Sequence, residues 1–491
     1  MAADNTGPAT AAGLDAGDER TTRKAVAISV VAAVGGFLFG FDSSVINGAV
    51  DAITGQFSLS PLLSGFAVSC ALLGAAVGAW FAGPLSDRYG RIRVMVLAAV
   101  VFAVSAIGSG FAFAVWDLIL WRVVGGLGIG AASVIAPAYI AEVAPSHVRG
   151  RLGSLQQLAI TVGILAALLS DAWIATVAGG AAEETWLGLE AWRWMFLVGV
   201  LPAVVWGALA LAVPESPRYL VAKGEEERAG TVLRDVLGLR DRDAVRRKVA
   251  DIASSLRREH DPSLRDLRGP ALGLLPVVWV GILLSVFQQA VGINVIFYYS
   301  TSLWASVGFS ESEAATFSVI TAVTNVLITL VAIAIVDRVG RRPMLLAGSL
   351  GMAASLAVMT VAFTQATGSG EEISLPEPWG LVALVGANAF IVAFGATWGP
   401  VVWVLLGEMF PNRIRAAALA VAAAAQWVAN FAISTSFPSL AGLGLPYAYG
   451  LYTVLAALSF VFVLRAVRET KGRSLEDMDT LADTPVRARR S

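Results

Sequence analysis

The sequence predicts an all-α membrane protein with twelve spanning helices in two halves of six, joined by a short helical insert. Three observations support this fold class. Apolar residues make up 57 % of the 491 residues and charged residues only 14 %, whereas soluble proteins carry about 25 % charged residues. The basic residues are clustered between long apolar stretches, and motifs at the ends of those stretches occur twice. The composition therefore excludes a soluble class.

Long stretches that are poor in basic residues define the spans. All 35 Lys and Arg residues except Arg122 and Arg193 lie outside the stretches 25–87, 94–148, 152–217, 269–337, 343–412 and 416–464. Each stretch has room for two helices of about 20 residues and a turn. The expected spans are 25–50, 62–83, 93–113, 116–141, 152–174, 192–213, 272–303, 314–336, 343–364, 379–406, 416–437 and 446–466.

The basic clusters and both termini fall on one side of the predicted bundle. Because Lys and Arg near spans stay in the cytoplasm, both termini are expected there, with the protein in the cell membrane. The first 24 residues lack the apolar core of a signal peptide and are interpreted as a tail. Residues 214–271 show apolar residues at helical spacing, which predicts short helices. The expected division is a cytoplasmic tail (1–24), an N-terminal half (25–213), an intracellular helical insert (214–271), a C-terminal half (272–467) and a second cytoplasmic tail (468–491).

The two halves repeat one another in sequence. DRYGR at 87–91 recurs as DRVGR at 337–341, and the Glu, Pro and Arg of segment 142–149 recur in 408–415. The PES of 214–216 has a weaker echo in the RET of 468–470. A parallel repeat of six-helix halves places a substrate site between the halves near mid-membrane, where rocking of the halves gives alternating access.

Motifs spread along the sequence carry a family resemblance. They are GFLFGFDSSVING (36–48), DRYGR (87–91), the run 122–157, PESPRYL (214–220), QQAVGIN (288–294), DRVGRR (337–342), PVVWVLLGEMFPNRIR (400–415), AAQWVAN (424–430) and ETKGRSLED (469–477). Together these segments resemble the sugar porters of the major facilitator superfamily. They extend over nearly the whole chain. The resemblance is greatest to bacterial proton-coupled sugar symporters and next to facilitative glucose transporters. It implies the major facilitator fold, and sugar transport with a proton as coupling ion and no cofactor.

Two charged residues are predicted inside the membrane, Asp42 in the first span and Arg122 in the fourth. A charge at mid-bilayer costs about 2.5–3.5 kcal/mol, so such residues are usually functional or paired. One interpretation is a structural salt bridge; the other is a proton switch in which Arg122 tunes the proton affinity of Asp42. The residues alone leave both open. In proton-coupled relatives the matching aspartate is the proton site, and the resemblance therefore favours the switch.

Amide and aromatic side chains in the spans are candidates for sugar binding, because amides both donate and accept hydrogen bonds. Interhelical hydrogen bonds, worth about 0.6 kcal/mol each, are the alternative for any single amide. The set favours a ligand site, and the resemblance implies the same positions. Gly292 is expected to let the seventh span bend. The candidates are Gln157, Gln288, Gln289, Asn294, Tyr298, Asn325, Trp403, Gln426, Trp427 and Asn430.

Two further positions bear on the identity of the sugar. Xylose-type relatives carry glutamine at the position of Ile164 and leucine at that of Phe297. Glucose-type relatives share the residues of this sequence. The resemblance therefore implies a hexose, with glucose first, although a few apolar atoms change discrimination by only about 1–3 kcal/mol.

Repeated charged clusters at the basic side are candidates for a cytoplasmic gate. Simple anchoring is the alternative. As a gate, the arginines would pair with glutamates and helix ends in the outward-facing state and separate when the cytoplasmic side opens. The candidates are Asp87, Arg88, Arg91, Glu142, Arg149, Asp337, Arg338, Arg341, Glu408 and Arg415.

Other functions remain open from the sequence. A facilitative uniporter, or a symporter for xylose, galactose or inositol, would keep the same fold. A sugar sensor is disfavoured by the short tails, and an enzyme by the absence of a nucleophile–base or metal constellation. The expected partners are a sugar, a proton and the lipid bilayer, with no nucleic acid and no metal, and the expected state is a monomer.

Four further residues are given structural interpretations. Gly126 and Gly130 suit close helix packing. Cys70 is interpreted as an inert apolar residue, and Asp171 as a solvated acid.

Overall fold

The computed structural model describes residues 11–144, 149–239, 241–258, 264–367, 374–411 and 414–471. Regular structure in these ranges is helical. Twelve helical segments there are long and apolar enough to cross a membrane, which confirms the predicted number of spans. All-helical architecture follows from the solvent, because in lipid each backbone polar group must be satisfied within the segment.

The helices fall into two sets separated by the insert. The N-terminal set is α1 (Ala11–Gln56), α2 (Pro61–Tyr89), α3 (Arg91–Gly110), α4 (Val115–Val143), α5 (Arg149–Ala178), α6 (Ala191–Val198) and α7 (Val200–Ala212). The insert contains α8 (Pro217–Ala222), α9 (Glu226–Leu237) and α10 (Arg242–Arg258). The C-terminal set is α11 (Pro276–Ala290), α12 (Ile293–Ala305), α13 (Glu311–Val339), α14 (Arg341–Phe363), α15 (Trp379–Gly395), α16 (Trp398–Met409), α17 (Arg415–Leu443) and α18 (Leu445–Ala466). Helix α1 begins at Ala11, inside the segment expected to be a tail.

Three spans are broken into two helices each. The seventh span breaks between α11 and α12, where Gly292 adopts φ +82°, a conformation that favours glycine. This confirms the expected bend. The breaks at Gly199, between α6 and α7, and between Gly395 and Trp398, between α15 and α16, were not expected from the sequence.

Small residues allow the helices of the N-terminal half to pack closely. A Cβ atom added to Gly126 would lie 2.1 Å from the carbonyl oxygen of Ala71, and one added to Gly130 would lie 2.1 Å from that of Ala75. The backbones of α2 and α4 therefore touch, as expected for small residues four apart. The predicted role of both glycines is confirmed.

Hydrogen bonds between the two halves are found at one end of the bundle. We call the end that carries Arg91 and Arg341 the basic end, and the other the opposite end. Hydrogen bonds join the halves at the opposite end: Asn47 with Thr301 (2.8 Å), Ser302 with Asp51 (2.7 Å) and Ser69 with Thr435 (2.6 Å). The interface at this end is closed.

The insert forms the predicted short helices. Leu220, Leu233 and Val249 contribute to a small apolar core of α8, α9 and α10. Val236 of α9 is buried in the core of the N-terminal half. The insert is therefore packed onto that half.

Candidate functional site

An ion pair lies inside the N-terminal half, between the continuous helices α1 and α4. Nη1 of Arg122 donates to Oδ1 of Asp42 at 2.8 Å and to the backbone oxygen of Asp42 at 3.2 Å. Both residues are buried. The Arg122 guanidinium carbon also lies 5.6 Å from the centroid of the Phe196 ring. The two intramembrane charges predicted from the sequence are thus in direct contact.

The Asp42 carboxylate borders a small cavity between α1, α2, α4 and α12. Its second oxygen, Oδ2, is buried and has no hydrogen-bond partner in the described part of the chain. Arg122 and Ser43 also line the cavity, and Tyr298 enters from the C-terminal half. The cavity therefore lies where the two halves meet around the ion pair.

Three predicted amides form a hydrogen-bonded chain at the break in the seventh span. Nε2 of Gln288 donates to the carbonyl oxygens of Trp398 (3.0 Å) and Gly399 (3.3 Å). Nε2 of Gln289 donates to Oε1 of Gln288 at 3.3 Å, and Nδ2 of Asn294 donates to Oε1 of Gln289 at 2.6 Å. The chain connects the break between α11 and α12 to the start of α16.

A second polar group connects α12 with α17. Nδ2 of Asn430 donates to the hydroxyl of Tyr298 at 3.5 Å, and Oδ1 of Asn430 accepts from Ser434 at 3.1 Å. The ring of Trp427, three residues before Asn430, packs edge-on against Phe39 of α1, with 5.4 Å between centroids. Predicted sugar-site residues therefore lie beside the cavity of the ion pair.

Four other candidates are not joined to these groups by the hydrogen bonds described above. Asn325 is buried, with its side-chain oxygen facing Gly395. Gln157 is half-buried. Trp403 keeps 44 % of its surface exposed. Oε1 of Gln426 is buried without a partner in the described residues. Their roles in sugar binding stay predictions.

The two residues that bear on sugar identity are both buried. Ile164 packs against α1 where a Cβ added to Gly40 would lie 3.0 Å from the Ile164 backbone nitrogen. Phe297 belongs to the main apolar core. Whether they select the sugar stays a prediction.

Three polar or aromatic residues were missed or misjudged from the sequence. Gln156, next to the predicted Gln157, has both side-chain polar atoms buried without partners in the described chain. Trp398 is fully buried, and its indole nitrogen donates to Leu345 and Ser349. The expectation that Asp171 is solvated is wrong: α5 packs against α1 and α13 there, and Asp171 is 3 % exposed. Of these three residues only Gln156 could have been found from the sequence, because it is an amide next to the predicted Gln157.

At the basic end of the N-terminal half, Arg91 is the centre of a charged cluster. Its guanidinium pairs with Glu142 through two hydrogen bonds, of 3.0 and 2.9 Å, and lies 3.1 Å from Asp87. Glu215 accepts from the backbone nitrogens of Arg91 (3.0 Å) and Ile92 (3.2 Å), the first residues of α3. A carboxylate there satisfies free N–H groups and complements the helix dipole.

The C-terminal half contains the same arrangement. Arg341 pairs with Glu408 at 3.1 and 2.8 Å, and Glu469 accepts from the backbone nitrogens of Arg341 and Arg342 at 3.0 Å each. The preceding glycines match as well, because Gly90 has φ 98° and ψ 158° and Gly340 has φ 105° and ψ 154°. The weak echo between PES and RET thus marks equivalent capping glutamates, which the sequence did not identify as part of the cluster.

Glu469 lies outside the spans and is held in its charged form. Burial disfavours that form, but backbone N–H groups of Lys471, Arg341, Arg342 and Thr470 donate to the carboxylate and hold the pKa of Glu469 below its ordinary value. The cap on α14 is therefore ionic at neutral pH.

The other gate candidates are peripheral to these clusters. Arg88 is exposed beside the Tyr89 ring, and Arg338 is exposed with its carbonyl oxygen accepting from Lys471. The Arg415 guanidinium donates to the carbonyl oxygen of Phe410. The side chains of Arg149 and Asp337 lie outside the described part of the structure.

The predicted pairing of arginines with glutamates is confirmed, but its expected breakage is not. Arg91 and Glu142 belong to one half, and Arg341 and Glu408 to the other. Both pairs are closed while the halves meet at the opposite end. Partners carried by the same half need not part when one half rocks against the other.

Comparison with known proteins gives consistent matches over most of the chain. The family described as "Sugar (and other) transporter" matches residues 28–482. A glucose transport protein of Synechocystis is 56 % identical over 453 residues, covering 92 % of this chain and 96 % of that protein. A D-xylose-proton symporter of Escherichia coli is 37 % identical, covering 92 % and 95 %. The inward open conformation of the xylose transporter XylE from E. coli superimposes with TM-score 0.78 at 35 % identity, covering 92 % and 99 %.

Proposed function

Because this chain belongs to the sugar transporter family of the major facilitator superfamily, we propose that it is a proton-coupled symporter that imports a hexose, with glucose as first substrate. The proton is the coupling ion, and no other cofactor is required. The glucose transport protein and the D-xylose-proton symporter among its relatives support the sugar and the coupling, respectively.

We place the protein in the cell membrane, with the basic end and both termini in the cytoplasm, because Lys and Arg near spans are retained there. The segments 25–213 and 272–467 act as the two moving halves, and 214–271 is a cytoplasmic insert. A monomer suffices, because the polar groups that would bind sugar lie between halves of one chain.

Asp42 is the group that we assign to the coupling proton. Its Oδ1 is held by Arg122, whereas its Oδ2 has no partner among the described residues, and Asp42 lines the cavity. A proton on Oδ2 neutralises the carboxylate and weakens its attraction to Arg122. The driving force is adequate, because one charge moved through 100 mV supplies about 2.3 kcal/mol and each pH unit adds about 1.4 kcal/mol.

The observation that carries the proposal is the position of Tyr298. It lines the same cavity as Asp42, while its hydroxyl accepts from Asn430 of the predicted sugar site. A sugar that engages Asn430 or Tyr298 therefore changes the surroundings of Asp42. Proton binding on one half and sugar binding on the other are linked through a shared cavity.

The amide groups suit a polyol. Gln288 accepts from Gln289, and Gln289 accepts from Asn294. Sugar hydroxyls can exchange with such bonds at little cost, since each group keeps a partner. The buried polar atoms of Gln156 and Gln426, partnerless in the described chain, offer further contacts. Trp427 offers an apolar face for the sugar ring.

A hexose is favoured over a pentose on two grounds. The glucose transport protein of Synechocystis is 56 % identical, whereas the D-xylose-proton symporter is 37 % identical. Ile164 and Phe297 also agree with glucose-type relatives. Xylose, galactose and inositol are the alternative substrates, and each should be tested as a competitor of glucose uptake.

The closed opposite end supports an inward-facing state. Asn47 and Asp51 of α1 bond to α12 there, and the chain superimposes on an inward open transporter. In the reverse state these bonds would break and the halves would close at the basic end. Alternating access then follows from rocking of the halves around the central polar groups.

A facilitative uniporter is the second candidate, and the 2.8 Å contact between Asp42 and Arg122 favours it if the pair is purely structural. Addition of glucose to energy-depleted cells in weakly buffered medium separates the two. A symporter raises the external pH as protons enter with the sugar. Uptake of radiolabelled glucose with no change in external pH would refute coupling and leave the uniporter.

A further inference from the structure

A second cavity lies between the two halves at the opposite end. It is small and is bordered by α1, α5, α12 and α13. Asp171 of α5 lines it with 3 % of its surface exposed. Both of its carboxylate oxygens are buried and have no side-chain hydrogen-bond partner in the described part of the chain, and only the backbone of Gly48 is close enough to interact with them.

Asp171 approaches α1 closely because residue 48 is glycine. A Cβ atom added to Gly48 would lie 2.7 Å from Cβ of Asp171 and 3.0 Å from its Oδ2. The neighbouring polar groups are already engaged, since Asn47 bonds to Thr301 (2.8 Å) and Ser318 to Ser300 (2.6 Å). Asp171 is thus held at the interface with no side-chain partner among the described residues.

The lining of this cavity contains no basic side chain among the described residues. Glu311 of α13 lines it and accepts from the backbone nitrogen of Ala181 at 3.0 Å. Asp51 of α1, on the same end, accepts from Ser302. Both facing carboxylates add negative charge near Asp171.

The charged groups on the other helices packed against α5 are engaged elsewhere. On α4, Arg122 pairs with Asp42. On α6, Arg193 pairs with Glu190. No described contact brings either arginine to Asp171.

An ionised carboxylate in this place would be buried without a cation, with only the Gly48 backbone to offset its charge, which is strongly unfavourable. The neutral acid avoids that cost. When the opposite end opens, water can reach the carboxylate and the cost disappears. Closure of this interface is therefore linked to proton binding.

We propose that Asp171 is a second proton-binding group, distinct from Asp42, that takes up a proton from the external solution when the halves close at the opposite end and releases it when that end opens. The step is a protonation, carboxylate plus proton giving carboxylic acid, and needs no further reactant. It rests on the alternating access of the proposed function but not on the role assigned to Asp42.

Distance measurement between spin labels tests this proposal directly. Labels are placed at exposed positions on the two halves, Thr176→Cys on α5 and Ser312→Cys on α13, in the full chain reconstituted in lipid nanodiscs. The native Cys70 is buried and should not react. All variants also carry Asp42→Asn, which removes the titration of that residue. Distance distributions are recorded between pH 5 and pH 9.

With Asp171 present, we expect the population with the long distance to grow as pH rises, by up to about tenfold per pH unit for one linked proton. Asp171→Asn should keep the short distance at all pH values. Asp171→Ser is a second neutral variant in case the asparagine protein does not fold. Glu184→Gln is the matched control, because it removes an exposed negative charge from the loop at the same end.

Two outcomes would overturn the proposal: populations that do not depend on pH when Asp171 is present, or a pH dependence that survives in both neutral variants. Neither outcome would affect the proposed symport, which the glucose-induced pH change tests separately. A response that disappears with Asp171 and persists in Glu184→Gln supports the proposal.

Discussion

Arg122 and Asp42 form a buried ion pair in which one carboxylate oxygen is engaged and the other is free. Nη1 of Arg122 lies 2.8 Å from Oδ1 of Asp42, while Oδ2 is buried without a partner among the described residues, and Asp42 lines a cavity. A purely structural pair would be expected to satisfy both oxygens, since buried polar groups are usually hydrogen-bonded. The half-satisfied carboxylate is the feature that a proton-binding site needs.

The amide chain at the break in the seventh span should govern sugar affinity. Gln289→Ala removes the link between Gln288 and Asn294. We expect KM for glucose to rise about 5- to 150-fold, equivalent to about 1–3 kcal/mol of lost hydrogen bonding. Asn388→Ala is the control, because Asn388 is an intramembrane amide that is hydrogen-bonded to Thr324 and not to the amides at the break. Equal changes in KM for the two variants in counterflow assays would contradict the assignment of these amides to sugar binding.

The pair of Arg91 with Glu142 should matter more than the exposed charge nearby. Arg91→Lys cannot keep two parallel hydrogen bonds to the carboxylate, so we expect the free energy of unfolding to fall by about 1–3 kcal/mol. Arg88→Lys, at an exposed site, should change it by less than about 0.5 kcal/mol. Thermal unfolding in detergent gives the comparison. Equal Tm values for the two variants would contradict the network.

The positive φ at Gly340 should make that glycine irreplaceable. An added Cβ would lie 2.9 Å from Oε2 of Glu469, at φ +105°. Gly340→Ala is expected to lose about 1–3 kcal/mol of stability through backbone strain and displacement of the cap. Gly407→Ala serves as control, because a Cβ added there would have no other atom within 4 Å and alanine favours the helix. A Tm of Gly340→Ala equal to that of the control would refute the strained turn.

The cap formed by Glu469 predicts a pH dependence of stability. Because the pKa of Glu469 is lower in the folded state, its stabilisation is complete above the unfolded value of about 4.3 and is lost as pH falls through the folded pKa. Glu469→Gln should therefore lower Tm at pH 7, and the difference from the parent protein should shrink below about pH 4. A difference that stays constant from pH 7 to pH 3 would contradict an ionic cap.

Much of this architecture could be predicted from the sequence, because lipid permits few structures. Apolar stretches without basic residues become helices, and the repeated DRYGR and DRVGR mark equivalent helix ends. Side-chain partners between the repeated motifs followed as well, such as Arg91 with Glu142. The pairing of Asp42 with Arg122 could also be predicted, because both are charged residues in apolar helices and each is stabilised by the other.

What the sequence did not predict depends on contacts between distant helices. Asp171 looks like a solvated acid until α1 and α13 are seen to cover it. Glu215 and Glu469 cap α3 and α14 across more than a hundred residues, and only a weak echo of three residues indicated that they are equivalent. The break before Trp398 lies between Gly395 and the pair Gly399 and Pro400, residues that weaken a helix, but the continuous apolar stretch concealed this local signal.

The most direct test of the account is the uptake of glucose by Asp42→Asn in proteoliposomes. With an inward proton gradient, this variant should lose accumulation above the external concentration, while downhill exchange of labelled glucose continues, because the sugar site is intact. Asp117→Asn, a buried aspartate that accepts from the backbone nitrogen of Phe113, should still accumulate sugar. Concentrative uptake by Asp42→Asn equal to that of the parent protein would contradict the central claim.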